Sequence, residues 1–175
     1  AEYELGQDYL KAGLLDRAEE TYTRLLATSY AVQGRKALLE IYQREKEWKR
    51  AIEAALALQE AGAGSRQKEI SQFYCELAQD ALVHMKPEEA ESLLEQALQA
   101  DRSSVRATIL CGDAQLAKGD TEAALLTWRR VEQQSVPHTA LVATRLMDGY
   151  RMFGRPQEGV SLLKCYLEEA CSIDV

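Results

Sequence analysis

The sequence predicts an all-α protein, a right-handed α-solenoid of about five helix pairs that forms a single repeat domain over residues 1–175. Two observations predict this fold class. Residues 5–22 have the pattern of two short amphipathic helices that reverse direction at Gly13. A pair this short cannot bury both of its apolar faces alone, and similar segments recur along the chain to stack beside it.

Small residues mark the second helix of every pair at nearly constant intervals. In the first pair, we expect Gly6 to face Ala18, so that the two backbones approach closely. The equivalent second-helix residues follow one another at intervals of 33, 39, 34 and 35 residues: Ala18, Ala51, Ala90, Ala124 and Gly159. The 39-residue interval contains the loop 61–65, which accounts for its greater length. This pattern resembles the tetratricopeptide repeat, a helix–turn–helix unit of about 34 residues.

Turn-forming residues delimit the predicted pairs. Pro87 and Pro156 open second helices, at a position that tolerates proline, and residues 135–137 break the chain before the fifth pair. We expect Trp48 to pack against the end of its own pair, and any joint in the array to lie in the glycine-rich loop 61–65. The chain is expected to be a fragment of a longer protein. The predicted pairs span residues 1–28, 35–60, 67–100, 104–133 and 138–172.

Composition excludes several classes of partner. The net charge of −7 and the isoelectric point near 5.0 argue against a nucleic-acid surface and against electrostatic binding to an anionic membrane. No apolar run of about 18 residues is present, so no direct membrane insertion is expected. The four cysteines form no Cys-x-x-Cys pair and have no histidine at zinc-ligand spacing, which predicts no metal site and a reducing, cytoplasmic compartment.

The sequence contains no catalytic constellation. Its two histidines, His84 and His138, fall in different pairs. No phosphate-binding loop, dinucleotide fingerprint or nucleophile elbow is present. We therefore expect no catalytic residue and no cofactor in this fragment.

Protein binding is the function that the pattern favours. In stacked helix pairs the first helices line a concave side, and a polar lining of both charge signs suits a protein or peptide segment. Lys36 is suitably placed for the carboxylate clamp of co-chaperone repeats, but Glu40 stands where asparagine is expected, which disfavours that subclass. The polar residues predicted by register to face the groove are Gln7, Lys11, Lys36, Glu40, Gln43, Arg44, Gln79, Arg106, Asp113, Asp148 and Arg151.

Several stretches resemble the lipopolysaccharide assembly protein B family. The most specific is Phe-Tyr-Cys-Glu-Leu-Ala at residues 73–78, because a generic repeat does not require phenylalanine and cysteine there. The likeness covers most of residues 3–130 and fades in the fifth pair. The other resembling stretches are residues 5–9, 13–19, 41–43 and 47–52.

This resemblance implies a non-catalytic scaffold that regulates lipopolysaccharide biosynthesis. Proteins of the family have an N-terminal membrane helix, a cytoplasmic repeat array and a C-terminal rubredoxin-like zinc module. With a membrane-bound AAA+ protease they promote degradation of the deacetylase that commits carbon to lipid A. The chain would be the cytoplasmic middle of such a protein, tethered to the inner membrane in the full-length form, so zinc binding is not carried over.

Two other functions remain open at this point. The first is a generic tetratricopeptide adaptor of an unrelated assembly, such as a secretion or pilus system. The second is the targeting arm of a larger enzyme similar to peptide O-linked N-acetylglucosamine transferases. A secretion signal upstream would favour the adaptor, and a long catalytic domain downstream would favour the transferase.

Overall fold

The chain folds into consecutive helix pairs. The computed structural model describes residues 2–134 and 136–172, and within these ranges it contains ten α-helices, one 3₁₀ helix and no strand. The elements are α1 (Glu2–Lys11), α2 (Leu15–Leu25), α3 (Ala31–Arg44), α4 (Trp48–Glu60), α5 (Gln67–Val83), α6 (Pro87–Ala100), α7 (Val105–Ala117), α8 (Thr121–Gln134), the 3₁₀ helix (Val136–Leu141), α9 (Ala143–Met152) and α10 (Pro156–Ser172).

The same turn joins the two helices of all five pairs. The second residue past each first helix has a positive φ, and the N–H of the following residue donates to the carbonyl five residues back, as Leu14 donates to Tyr9 at 2.9 Å. This geometry is a Schellman-type C-cap, which satisfies carbonyls at the helix end and favours glycine. The left-handed residues of these five turns are Gly13, Lys46, Met85, Gly119 and Gly154.

Two predicted pair boundaries differ from the structure. The second pair begins at Ala31 rather than at residue 35, because the Gly34 N–H donates to the Tyr30 carbonyl at 2.8 Å and continues the helix through the predicted connector. The first helix of the fifth pair begins at Ala143 rather than at residue 138, because a 3₁₀ helix precedes it. Ser135, the first residue of the predicted break, lies outside the described residues.

The chain forms two compact units, Ala1–Tyr74 and Cys75–Val175. The division falls inside α5, and not in the loop 61–65 where the sequence predicted a joint. That loop is hydrogen-bonded to the end of α4, where the Gly62 N–H donates to the Gln59 carbonyl at 3.0 Å. The prediction of a single repeat domain stays a prediction.

Close contact between a glycine and a tyrosine ring organises the first unit. A Cβ at Gly6 would lie 2.8 Å from the ring of Tyr22, and Ala18 is fully buried on the same second helix. Trp48 stacks on Phe73 of α5, with ring centroids 5.8 Å apart, and so contacts the next pair rather than only its own. The other buried apolar residues of α2 to α4 are Leu25, Leu38, Leu39, Ile41, Tyr42, Ala51, Ile52, Ala55 and Leu58.

A buried tryptophan organises the second unit in the same way. Trp128 on α8 is 1% exposed, and its Nε1–H donates to the Ile109 carbonyl at 3.1 Å. Gly112 on α7 leaves the space that the indole fills, since an added Cβ would lie 2.2 Å from Nε1. The buried residues packed in this cluster are Ile109, Ala124, Leu125, Trp128, Val131, Val142, Leu146 and Tyr150.

Candidate protein-binding groove

The first helices of the first two pairs, α1 and α3, border a groove in the first unit. Because Gly6 faces the Tyr22 ring, the residues on the next face of α1 are left to line this space. Its cavity volume is about 410 Å³. The lining residues are Tyr3, Gln7, Leu10, Lys11, Tyr22, Gln33, Lys36, Ala37 and Glu40.

The structure brings four of the predicted groove residues together here. These four are Gln7, Lys11, Lys36 and Glu40. Gln43 and Arg44 lie on the following turn of α3, outside the lining set. Sequence reasoning missed Gln33 and Ala37, which lie one turn before and one residue after Lys36, and it assigned Tyr22 to the core alone. A helical period of three to four residues around Lys36 would have identified Gln33.

Two tyrosines, Tyr3 and Tyr22, belong to the lining of the groove, and Tyr30 packs beside them. The Tyr3 ring stacks on Tyr30, with centroids 6.3 Å apart, and meets the Tyr22 ring edge to face at 5.9 Å. Burial is the main cause that raises the pKa of Tyr22 above its usual value, and neighbouring Tyr3 and Glu40 raise it further. Tyr22 is therefore neutral near pH 7 and adds no charge to the groove.

Two lysines dominate the charge of the groove. Lys11 and Lys36 are exposed, and neither forms an ion pair with the rest of the described chain. Glu40 is the one carboxylate in the lining, and its Oε1 lies 2.5 Å from Arg44 Nη2. This contact between exposed side chains on neighbouring helical turns offsets the Glu40 charge, so the groove presents two uncompensated cations.

Ion pairs occupy the corresponding faces of the second unit. Arg106 on α7 donates to Glu76 Oε1 at 2.7 Å and to Gln79 Oε1 at 2.8 Å, both on α5. Asp113 on α7 accepts two hydrogen bonds from the Arg145 guanidinium of α9, at 2.7 and 2.9 Å. The predicted residues Gln79, Arg106 and Asp113 are thus engaged with neighbouring first helices rather than left open.

The remaining predicted residues lie on α9. Asp148 and Arg151 pair with each other at 3.4 Å, and both are exposed. Sequence reasoning missed Arg145 as the partner of Asp113. A signal was present, because the two opposite charges are 32 residues apart, about one repeat.

A second cavity lies between α1 and α2 in the first unit. Its volume is about 300 Å³, and it includes Tyr9, Arg17 and Arg24 in its lining. The Arg17 guanidinium lies 5.9 Å from the centre of the Tyr9 ring, and Arg24 pairs with Glu20 at 2.8 Å. Because these arginines already contact neighbouring side chains, this cavity offers less uncompensated charge than the groove between α1 and α3.

Two cysteines of the second unit, Cys75 and Cys111, are not activated as nucleophiles. Burial raises the pKa of the Cys75 and Cys111 thiols to about 11 each, so both are protonated near neutral pH. Cys165 is exposed, and the side chain of Cys171 lies outside what the structure describes. In the described part of the chain, no group of three histidine, cysteine or acidic side chains is arranged to hold a metal ion, and no helix is long and apolar enough to cross a bilayer.

Repeated helix pairs with small residues at the close contacts define a class of helical repeat protein. Two sequence models described as Tetratricopeptide repeat match residues 3–66 and 85–143. The chain therefore contains tetratricopeptide repeats over these two stretches. The predicted fold class, an all-α solenoid of such repeats, is confirmed.

Curated relatives narrow the comparison further. Lipopolysaccharide assembly protein B of Escherichia coli (strain K12) is 33% identical over 172 residues, which are 98% of this chain and 44% of the relative. The protein of the same name from Haemophilus influenzae (strain KW20 Rd) is 30% identical over 154 residues, or 86% of this chain and 38% of the relative. The resemblance predicted from the sequence is confirmed, and the match extends beyond residues 3–130, where the sequence analysis placed it, into the fifth pair. The chain spans less than half the length of these relatives.

Solved structures share the fold at low sequence identity. The crystal structure of MamA superposes with a TM-score of 0.61 at 19% identity and covers 97% of both chains. YrrB, described as a TPR protein with an unusual peptide-binding site, gives a TM-score of 0.57 at 17% identity and covers 95% of this chain and 84% of its own. At these identities the likeness establishes the fold alone.

Proposed function

We propose that the chain is a non-catalytic protein-binding scaffold, the cytoplasmic repeat region of a regulator of lipopolysaccharide biosynthesis. The observation that carries the proposal is the open groove between α1 and α3, with a volume of about 410 Å³ and a mixed lining of tyrosine, glutamine and lysine. Similarity to lipopolysaccharide assembly protein B over 98% of the chain supplies the pathway.

The lining of the groove suits a polypeptide better than a small apolar ligand. The amides of Gln7 and Gln33 can both donate and accept hydrogen bonds, as an unpaired peptide backbone requires. Tyr3 and Leu10 supply apolar surface for a side chain of the bound segment.

In this proposal the full-length protein is tethered to the inner membrane, and its repeats lie in the cytoplasm. It acts with a membrane-bound AAA+ protease to control the level of the lipid A deacetylase. A scaffold of this kind raises the effective concentration of a substrate near its protease, because holding both partners converts their encounter into an intramolecular event.

Site-specific photocrosslinking in bacterial cells tests the proposal. A benzophenone amino acid replaces Gln33 in the full-length protein, and mass spectrometry identifies the cross-linked partner. We expect adducts with the protease or with a protein of the lipopolysaccharide pathway. The matched control replaces Glu53, an exposed residue of α4 that does not line the groove.

Three results would count against the proposal. No protein adduct at Gln33 would show that the groove is not a protein-binding site. The same adducts from Glu53 as from Gln33 would remove the groove from the explanation. Adducts confined to components of an unrelated assembly would favour the generic adaptor instead.

A further inference from the structure

The groove of the first unit has a local charge opposite to that of the chain. The chain as a whole carries a net charge of −7. Lys11 and Lys36 are nevertheless both in the groove lining, and Arg44 offsets the single carboxylate there, Glu40. Charge complementarity mainly governs the rate and specificity of association, so this reversal of sign selects among partners.

The second unit shows that the open lysines are a particular feature of the first. There the exposed polar faces of α5, α7 and α9 pair with one another, through Arg106 with Glu76 and through Arg145 with Asp113. Two charged side chains that satisfy each other have little to offer an incoming charge. The first unit leaves Lys11 and Lys36 without such partners in the described chain.

We infer that the groove between α1 and α3 binds an acidic polypeptide segment, whose side-chain carboxylates contact Lys11 and Lys36 and whose apolar side chain rests on Tyr3 and Leu10. The inference rests on the proposed function and names the chemical class of its partner. Lysine is a compact point charge on a flexible stem, so two separated lysines suit individual carboxylates spaced along a chain.

The carboxylates belong to the interior of the segment rather than to its C-terminus. A terminal carboxylate needs several donors converging on one point. Here the neighbour of Lys36 one turn along is Glu40, an acceptor already engaged by Arg44, and it provides no further donor. Side chains of an acidic segment need only one lysine each.

Fluorescence anisotropy with defined peptides tests the inference. The probe is a fluorescein-labelled, amide-capped peptide that repeats Glu-Glu-Tyr, and the matched probe repeats Gln-Gln-Tyr. We expect the acidic probe to bind about tenfold or more tightly than the neutral one, and its affinity to fall as salt is raised. Lys11→Glu and Lys36→Glu should each weaken acidic binding by about tenfold or more, because each puts like charges together.

The control variant is Lys49→Glu, which makes the same change of charge at an exposed position of α4 outside the groove. It should leave binding of the acidic probe within about twofold, since a distant surface charge is screened by salt. Circular dichroism confirms that all three variants fold. Equal losses in Lys49→Glu and Lys36→Glu would show that net charge, and not the groove, attracts the probe.

Other outcomes would overturn the inference. Equal affinity for the acidic and neutral probes would remove the charge requirement. Much tighter binding of an acidic probe with a free C-terminus would assign the lysines to a terminal carboxylate. If photocrosslinking at Gln33 captures a pathway protein while the acidic probes do not bind, the proposed function stands and this inference fails. If the acidic probes bind as expected but no pathway protein is captured at Gln33, the inference stands and the proposed function fails.

Discussion

The contact between Gly112 and Trp128 sets a limit on side-chain size inside the second unit. In Gly112→Ala the added Cβ would lie 2.2 Å from Nε1 and 2.4 Å from Cδ1 of an indole that is 1% exposed. Overpacking of this kind costs about 1–3 kcal/mol. Displacing the indole also breaks its hydrogen bond to Ile109, at about 1–3 kcal/mol, while the better helix propensity of alanine returns about 1 kcal/mol.

These terms predict a net loss of about 3 kcal/mol in the free energy of unfolding. For a chain of this size, that corresponds to a fall of about 6–12 °C in Tm. Denaturant titration and thermal melting followed by far-ultraviolet circular dichroism measure both quantities. This probe reports helix content and remains usable when a tryptophan is replaced.

A double-mutant cycle with Trp128→Phe tests the physical cause. Phenylalanine removes the five-membered ring that the new Cβ would strike, so Gly112→Ala should cost less in that background than in the parent. If the two substitutions were simply additive, the steric argument would be refuted. A Gly112→Ala chain within about 0.5 kcal/mol of the parent would refute it as well.

Four further perturbations follow from backbone conformation and burial. Met85→Gly should raise stability by about 0.5–1 kcal/mol, because glycine adopts the left-handed backbone conformation of this turn without steric strain. Gly119→Ala at the equivalent turn should lower stability by about 1 kcal/mol for the same reason. Thermal melting measures both changes. Ala124→Asp should cost several kcal/mol, because it places an unpaired charge at a fully buried position, and an unchanged Tm would show that the repeat register is wrong. In the folded chain burial raises the pKa of the Cys75 and Cys111 thiols to about 11, whereas in the unfolded chain both thiols have the usual pKa of 9.0. Stability should therefore fall as pH rises from 9 to 11, by less in a chain with alanine at both positions, as denaturant titrations across that range would measure.

The repeat register was predictable because it depends on local pattern. Gly13, Gly119 and Gly154 mark three of the five turns, and each has the positive φ that glycine favours. Lys46 and Met85 adopt the same conformation, and nothing in their chemistry indicates it. Their turns follow from the spacing of the flanking helices alone, which is why repeat periodicity was a better guide than residue type.

The position of Trp48 shows where the pattern stops being informative. Its place at the start of α4 predicted a contact within its own pair, but the ring stacks on Phe73 of the next pair. Local spacing determines which face of a helix a side chain occupies. It does not determine how far a large ring reaches towards the helix that packs alongside, because that depends on the connector between the pairs.

The predicted groove residues show the same limit of local pattern. The repeat register placed Lys36 and Arg106 on equivalent faces of first helices, and so predicted that both would line a groove. The structure leaves Lys36 without an ion pair in the described chain and gives Arg106 the partners Glu76 and Gln79. Register therefore identified four of the residues that line the groove of the first unit, but it did not show which predicted residues remain available to a partner.

The signs of charges that lie one repeat apart indicate which groove residues remain available to a partner. In a helical repeat, first-helix residues separated by about one repeat come to the same side of neighbouring helices, as Asp113 and Arg145 do. Opposite charges at such positions form ion pairs with each other and are then not available to a partner. Lys11 and Arg44 are also one repeat apart, but both are cations, so they cannot pair with each other. At exposed positions the repulsion between them costs only tenths of a kcal/mol, so the fold tolerates it. Arg44 pairs with Glu40 instead, and Lys11 remains available to an acidic partner.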